Sequence, residues 1–257
     1  MPFLSDTDRD WETWGKTDAY YSVLSFPQFH KDVLDDSALK EFFRSGDMHV
    51  EHVLSVLRQR FQANFEPSRI LDYGCGVGRL VIPFAKSSNR VTGVDISPTM
   101  LEKAAQNAAA QGTGNIDFLL ASDLSSIAPE SFDLIHSFIV FQHIYPSRGE
   151  AILWELLQKL KPGGLGAIHL TFHRDASLAR RLVSSVRRRS MFAHRLVNVL
   201  QGKSWSEPAI HMNPYSLNRI FALLYKAGCG MIFTEFSHHG DFLGAMIYFE
   251  KTQPALL

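Results

Sequence analysis

Apolar positions recur along this chain in two alternating periods: short continuous runs, and longer stretches in which they fall three and four residues apart. The runs at 69–72, 90–95, 116–121, 132–140 and 165–172 are dense in branched and aromatic residues and read as buried strands. Between them, Leu80, Val81, Ile82, Phe84 and Ala85, then Met100, Leu101, Ala104 and Ala105, then Ile152, Leu153, Leu156, Leu157 and Leu160, each mark one helix face. Ser97-Pro98 supplies an N-cap followed by proline at the first helical position. Strands alternating with helices five times predict a parallel α/β sheet. A last helix over 215–227 stops at Gly228, and the runs 231–236 and 242–249 then predict an antiparallel hairpin around Ser237 to Asp241.

The flanking segments read differently. Residues 5–15 predict a short capped helix, with Trp11 and Trp14 one turn apart and Gly15 as its stop. Tyr20, Tyr21 and Pro27 follow in a loop-like passage, a second capped helix begins at Ser37, and a longer one begins at Asp47 with Val50, Val53, Leu54, Leu57 and Phe61 on one face. Residues 173–213 interrupt the alternation with two predicted helical segments, 178–186 and 191–200, in the most basic part of the chain, where Arg180, Arg181, Arg187, Arg188, Arg189 and Arg195 lie. That density fits a solvated helix face, or a cap that greets an anionic group. The organisation expected is a helical N-terminal segment over 1–65 that helps cover an active site, and an α/β domain over 66–257 with 173–213 as a helical cap.

With 257 residues and 46% hydrophobic content, the chain can bury a substantial core. Its formal net charge is zero, which gives no global drive towards nucleic acid, so no nucleic-acid partner is expected. Cys75 and Cys229 are far apart and read as reduced, small apolar residues. The N-terminus lacks a signal-peptide pattern and no apolar stretch reaches the ~18 residues of a membrane span, so a cytoplasmic protein, monomer or homodimer, is expected.

The chemistry centres on Asp72-Tyr73-Gly74-Cys75-Gly76-Val77-Gly78, a buried strand ending in an acid and then glycines at alternate positions. Such glycines let a strand-to-helix turn take positive φ and let a ligand approach the backbone. Asp72 would repel a pyrophosphate but suits a ligand carrying an ammonium and a sulfonium. Asp95, about 20 residues beyond the glycines at the end of the second strand, is placed to accept ribose hydroxyls.

The acid-Gly-x-Gly-x-Gly turn, the break Lys161-Pro162-Gly163-Gly164 between a helix and a strand, and the terminal hairpin together resemble the class I S-adenosylmethionine-dependent methyltransferases. The resemblance covers roughly 70–251 and implies a Rossmann-like fold, a mostly parallel seven-stranded sheet with a terminal antiparallel hairpin. It further implies that Asp72, Gly74, Gly76 and Gly78 hold the methionyl part of S-adenosyl-L-methionine, Asp95 the ribose, and Asp123 with Leu124 the adenine. Cys75, Ile96, Met100, Ser122 and Phe138 complete the expected cofactor set. His143, after the fourth strand, is the candidate general base, with Tyr20 or Tyr21 as its partner; the competing role for His143 is to order its loop through backbone hydrogen bonds.

His136, mid-strand, reads as a core histidine. His238, His239 and Asp241 suggest a metal, but adjacent histidines on a short loop rarely reach one ion, and no metal is expected. Neither the Asn-Pro-Pro-Tyr and Asp-Pro-Pro-Tyr motifs nor a cysteine follows the fourth strand, which argues against methylation of DNA bases, of glutamine or of pyrimidine carbon-5. The function expected is methyl transfer to oxygen or nitrogen of a small organic molecule, an anionic or natural-product acceptor included. Its rivals are a non-catalytic S-adenosylmethionine-binding module and a protein or RNA methyltransferase; a nicotinamide oxidoreductase is disfavoured by Asp72 and the hairpin.

Overall fold

The computed structural model describes residues 7–175 and 210–252, together with Trp205 and Pro208. Seven strands form one sheet: β1 Arg69–Tyr73, β2 Arg90–Asp95, β3 Ile116–Leu120, β4 Phe132–Ser137, β5 Leu160–Arg174, β6 Cys229–His239 and β7 Phe242–Lys251. Their spatial order is β3-β2-β1-β4-β5-β7-β6, with β1 to β5 parallel and β7 antiparallel to both β5 and β6. The expected mostly parallel sheet with a terminal antiparallel hairpin is therefore present.

Alternation along the strands divides the core into two faces. Leu71, Ile135, Ile168 and Ile247 pack on one face with α5 (Pro146–Lys159) and α6 (Leu217–Lys226), through Leu153, Leu156, Leu157, Ile220 and Leu224. Ile70, Leu134, Leu165 and Tyr248 pack on the other with α2 (Asp36–Arg60) and α3 (Val81–Lys86). A third apolar cluster joins α1 (Thr7–Val23) to α4 (Pro98–Ala110) through Trp14, Val77 and Met100, with Phe29 and Phe42. Strand order reverses between β1 and β4, so their carboxyl ends open a crevice at the point where open α/β sheets hold ligands.

Gly15, taken as a helix stop, serves close packing instead, and Gly46 does the same in α2. Helix α1 continues through Gly15 to Val23, because a Cβ there would lie 2.9 Å from Ser97 Oγ; the helix kinks only at Asp18. Helix α2 is likewise a single helix, capped by the Asp35 carboxylate on the Ala38 amide. Its Gly46 lies so close to the glycine turn that a Cβ would come 2.1 Å from the Arg79 carbonyl oxygen.

The fourth strand ends at Ser137 rather than at residue 140, because Ile139 takes a positive φ of 62°. The Lys161-Pro162-Gly163-Gly164 break sits inside a long β5, where the register with β4 shifts between Phe132 and Leu134. The helical cap expected over 173–213, with its two helical segments and six arginines, lies largely outside the described residues.

Candidate active site

The glycine turn is set by close approaches. Gly74, Gly76 and Gly78 all take positive φ, at 79°, 52° and 90°. A Cβ on Gly74 would lie 2.2 Å from a methyl of Val140, so the loop after β4 presses directly on the turn. The amides of Gly74 and Cys75 both donate to the Val94 carbonyl, at 2.7 and 3.0 Å. Asp95 closes the turn: one oxygen accepts from the Gly76 amide at 2.8 Å and the other from the Ser97 amide at 3.0 Å. Enclosure by protein pushes the Asp95 carboxyl up, opposed by those amides and that of Ile96.

A cleft opens over this turn. Of the residues expected at the cofactor, Asp72, Gly74, Cys75, Gly76, Asp95, Ile96, Met100 and Phe138 line it, and His143 lines it too. Gly78 faces Ile82 and Ala104, and Leu124 is buried in the core. Ser122 and Asp123 are exposed in the 3-10 turn Ala121–Ser126 after β3, with the Ser122 hydroxyl 3.3 Å from an Asp123 oxygen, and neither lines the cleft.

Tyr20 and Tyr21, expected to partner His143, point elsewhere. Tyr20 donates to Asn107 Oδ1 at 3.0 Å and packs edge-on to Phe42, while Tyr21 stacks on His30 with ring centroids 3.5 Å apart. Because α1 runs on past Gly15, both rings are carried onto the third apolar cluster. Helix α1 instead gives the cleft Thr7, Asp8, Trp11, Ser22 and Val23. It is docked by Glu12, whose carboxylate accepts from the Ser97 and Thr99 hydroxyls at 2.6 and 2.8 Å. Partial burial raises the Glu12 carboxyl, but hydrogen bonds from Ser97, Lys16 and Thr99 outweigh it and bring it to about 2. Arg148 also lines the cleft and pairs with Asp8 through two contacts of 2.6 and 2.9 Å.

Two opposite charges occupy the floor. The Asp72 carboxylate is 1% exposed; Oδ1 accepts from His136 Nδ1 at 2.7 Å, and Oδ2 has no partner among the described residues. Arg79 is 5% exposed, and its Nε likewise has no partner. Burial lowers the Arg79 guanidinium to about 10, against the attraction of Asp72. The sequence signal for Arg79 was its place one residue past the last glycine of the turn, and for Trp11 a position on a helix whose continuation past Gly15 depends on tertiary packing.

His143 sits in a 3-10 turn after β4, buried. Its Nδ1 donates to the His211 carbonyl at 2.7 Å, which leaves Nε2 as an acceptor, 3.2 Å from the Gln142 amide nitrogen. Gln142 in turn accepts from the Thr171 hydroxyl at 3.0 Å. Burial lowers the imidazole to about 4, only partly offset by the bond to His211, so the ring is neutral at physiological pH.

The crevice at the strand reversal, the glycine turn after β1 and the seven-stranded sheet with its antiparallel β7 give the Rossmann-like class I methyltransferase fold. A family model described as a methyltransferase domain matches residues 70–164. Over 128 residues the chain is 33% identical to the mitochondrial ubiquinone biosynthesis O-methyltransferase of Schizosaccharomyces pombe, covering 46% of this chain and 46% of that one. Over 140 residues it is 34% identical to the trans-aconitate 2-methyltransferase of Streptomyces coelicolor, covering 53% and 45%. The chain thus spans a little under half the length of these curated relatives. The crystal structure of magnesium protoporphyrin IX methyltransferase from Synechocystis PCC 6803 with bound S-adenosylmethionine superposes with a TM-score of 0.58 at 17% identity, covering 97% of this chain and all of that one, a likeness of fold. The chain is thus similar to S-adenosylmethionine-dependent methyltransferases over residues 70–164 and shares their fold.

Proposed function

We propose that this chain transfers a methyl group from S-adenosylmethionine to a small organic molecule, with an oxygen of the acceptor favoured over a nitrogen. The observation that carries the proposal is the pairing of two unpartnered buried atoms at one cleft floor, Asp72 Oδ2 and Arg79 Nε, beneath a glycine turn closed by Asp95. An amino-acid zwitterion linked to a ribose matches that set: ammonium at Asp72, carboxylate at Arg79 and hydroxyls at Asp95. The remaining assignments follow from placement. Ile96 and Met100 give apolar wall beside Asp95, and Ser122, Asp123 and Leu124, at the same carboxyl end of the sheet, are assigned to the adenine side. Trp11 and Phe138 line the cleft, and an aromatic lining favours a sulfonium cation.

The cofactor supplies an activated methyl carbon; the chain's residues align, enclose and handle the proton. Helix α1 closes one side of the cleft through Glu12 and through Asp8 with Arg148, which makes the segment 1–65 a cover for the site. His143 is assigned as the proton acceptor, its Nδ1 hydrogen fixed on the His211 carbonyl so that Nε2 carries the lone pair. A base lowered to about 4 suits a hydroxyl, which becomes strongly acidic as the methyl arrives, better than an amine, whose methylated ammonium holds its proton firmly. A neutral chain in which no helix among the described residues is long and apolar enough to cross a membrane fits a diffusing acceptor in the cytoplasm.

Calorimetry with S-adenosylhomocysteine tests the donor reading. Asp95→Ala is expected to weaken binding at least about tenfold, by loss of a charge-assisted hydrogen-bonding site. Unchanged affinity in that variant removes the assignment. A chain that binds the ligand normally yet turns over no hydroxylated acceptor in a His143-dependent way is instead a binding module.

A further inference from the structure

Behind Asp72, on the side away from the cleft, lie two histidines that the donor reading leaves without a role. His136 projects from β4, fully buried, and His49 projects from α2. His136 Nδ1 lies 2.7 Å from Asp72 Oδ1, and His136 Nε2 lies 3.0 Å from His49 Nε2. The ring of His49 is held in turn against Phe138, with centroids 4.0 Å apart, and Phe138 lines the cleft. Helix α2 cannot drift from this arrangement, since Gly46, less than one turn before His49, abuts the Arg79 backbone.

The protons in this row are constrained by geometry. A nitrogen 2.7 Å from a carboxylate oxygen donates, so His136 carries hydrogen on Nδ1. The contact between the two Nε2 atoms then holds one proton, with one ring donating and the other accepting. Burial pushes His49 well down, with the neighbouring His136 and Arg79 adding to the effect. One oxygen of Asp72 is thereby held by His136, while the other has no partner among the described residues, and Asp72 lines the cleft.

We propose that His136, braced by His49, is a positioning residue for the donor: it orients the Asp72 carboxylate so that Oδ2 meets the amino group of the cofactor's amino-acid end. This rests on the donor reading above. A buried carboxylate without such a brace has two rotamers and two oxygens to present, and a hydrogen bond to it is among the stronger kinds in a protein. Ordering is supplied before the ligand arrives, which lowers the cost of binding.

The test compares two ligands by calorimetry on the intact chain: S-adenosylhomocysteine, and 5′-methylthioadenosine, which lacks the amino-acid end. His136→Leu is expected to weaken the first about tenfold and to change the second by less than about twofold. His136→Asn, whose side-chain amide donates from nearly the place of Nδ1, is expected to restore the first to within about threefold. His49→Phe is expected to weaken only the first, by a smaller factor. If His136→Leu fails to fold, judged by circular dichroism, His49→Phe decides on the same two ligands. Equal affinity of variant and wild type for S-adenosylhomocysteine, or an equal loss for both ligands, overturns the inference while the donor reading stands. A wild-type chain that binds neither ligand overturns both.

Discussion

The indole of Trp11 lies 5.0 Å from the imidazole of His143, tilted by 60°, so the first helix and the loop after β4 meet across the mouth of the cleft. Both side chains line it, and Trp11 is the aromatic group that the N-terminal segment brings to the site in place of Tyr20 and Tyr21. If the indole faces the sulfonium, its loss matters more for a cation than for a neutral thioether. Trp11→Ala is therefore expected to weaken S-adenosylmethionine several-fold more than S-adenosylhomocysteine, in keeping with a cation–π contribution of about 0.5–2 kcal/mol. Trp11→Phe should recover most of the difference. Equal losses for the two ligands would assign Trp11 to packing alone.

Gly46 tests how tightly α2 is seated. A Cβ there meets backbone, the Arg79 carbonyl at 2.1 Å, and backbone cannot rotate aside as a side chain can. Gly46→Ala is expected to cost at least about 2 kcal/mol in urea denaturation, despite the gain in helix propensity of roughly 1 kcal/mol. Gly114→Ala, with nothing within 4 Å of its Cβ and no positive φ, serves as the control and should stay within about 0.5 kcal/mol of wild type.

The contrast between these glycines shows where the sequence was legible. Continuous apolar runs and the Ser97-Pro98 cap located β2 and the start of α4 to the residue, since both signals are local. The glycines of the turn and the acids Asp72 and Asp95 likewise announced the cleft, because strand ends in such a sheet converge on one edge. Gly15 misled for the opposite reason: the Ser97 hydroxyl passes close to it, as the Arg79 backbone does to Gly46, a demand that no local pattern carries. The same long-range packing extended α1, turned Tyr20 and Tyr21 away, and placed Trp11 at His143. His136 was read as a satisfied core histidine, and it is satisfied; that its partners are Asp72 and a histidine 87 residues away follows only from the pairing of β1 with β4 and the seating of α2.

Acid should destabilise the fold in a defined window. Burial lowers His143 to about 4 and His169 to about 3, and it lowers His49 well below 6.5. In each case the folded value lies below that of the unfolded chain, so between the two the unfolded chain binds a proton that the folded one does not. Stability is then full above about pH 6.5 and falls as pH drops towards 4 and 3. His143 alone accounts for about 3 kcal/mol over its window, at ~1.4 kcal/mol per unit. The urea midpoint should fall steadily between pH 6.5 and 4, and His169→Phe should flatten the slope. A midpoint that holds constant through this range would show these rings to be solvated in the folded chain.

The state of His143 also fixes the shape of the rate profile. Burial makes the ring neutral down to about 4, and its Nε2 lone pair, which accepts from the Gln142 amide, serves as base once that amide yields to the acceptor's hydroxyl. Since kcat/KM reports groups of the free enzyme, its acid limb for a neutral hydroxyl acceptor is expected near pH 4, with a plateau through pH 6 to 8. An acid limb near 6.5 would move the proton acceptor to a more exposed group, and a rise continuing to alkaline pH would mean that the acceptor must ionise in solution first. His143→Ala separates the two roles of this ring. As a base its loss should lower turnover by about 10²–10⁴ with S-adenosylhomocysteine affinity changed less than about threefold. As a brace for the loop that carries Gln142 and touches Gly74 through Val140, its loss should instead weaken ligand binding and lower the urea midpoint together.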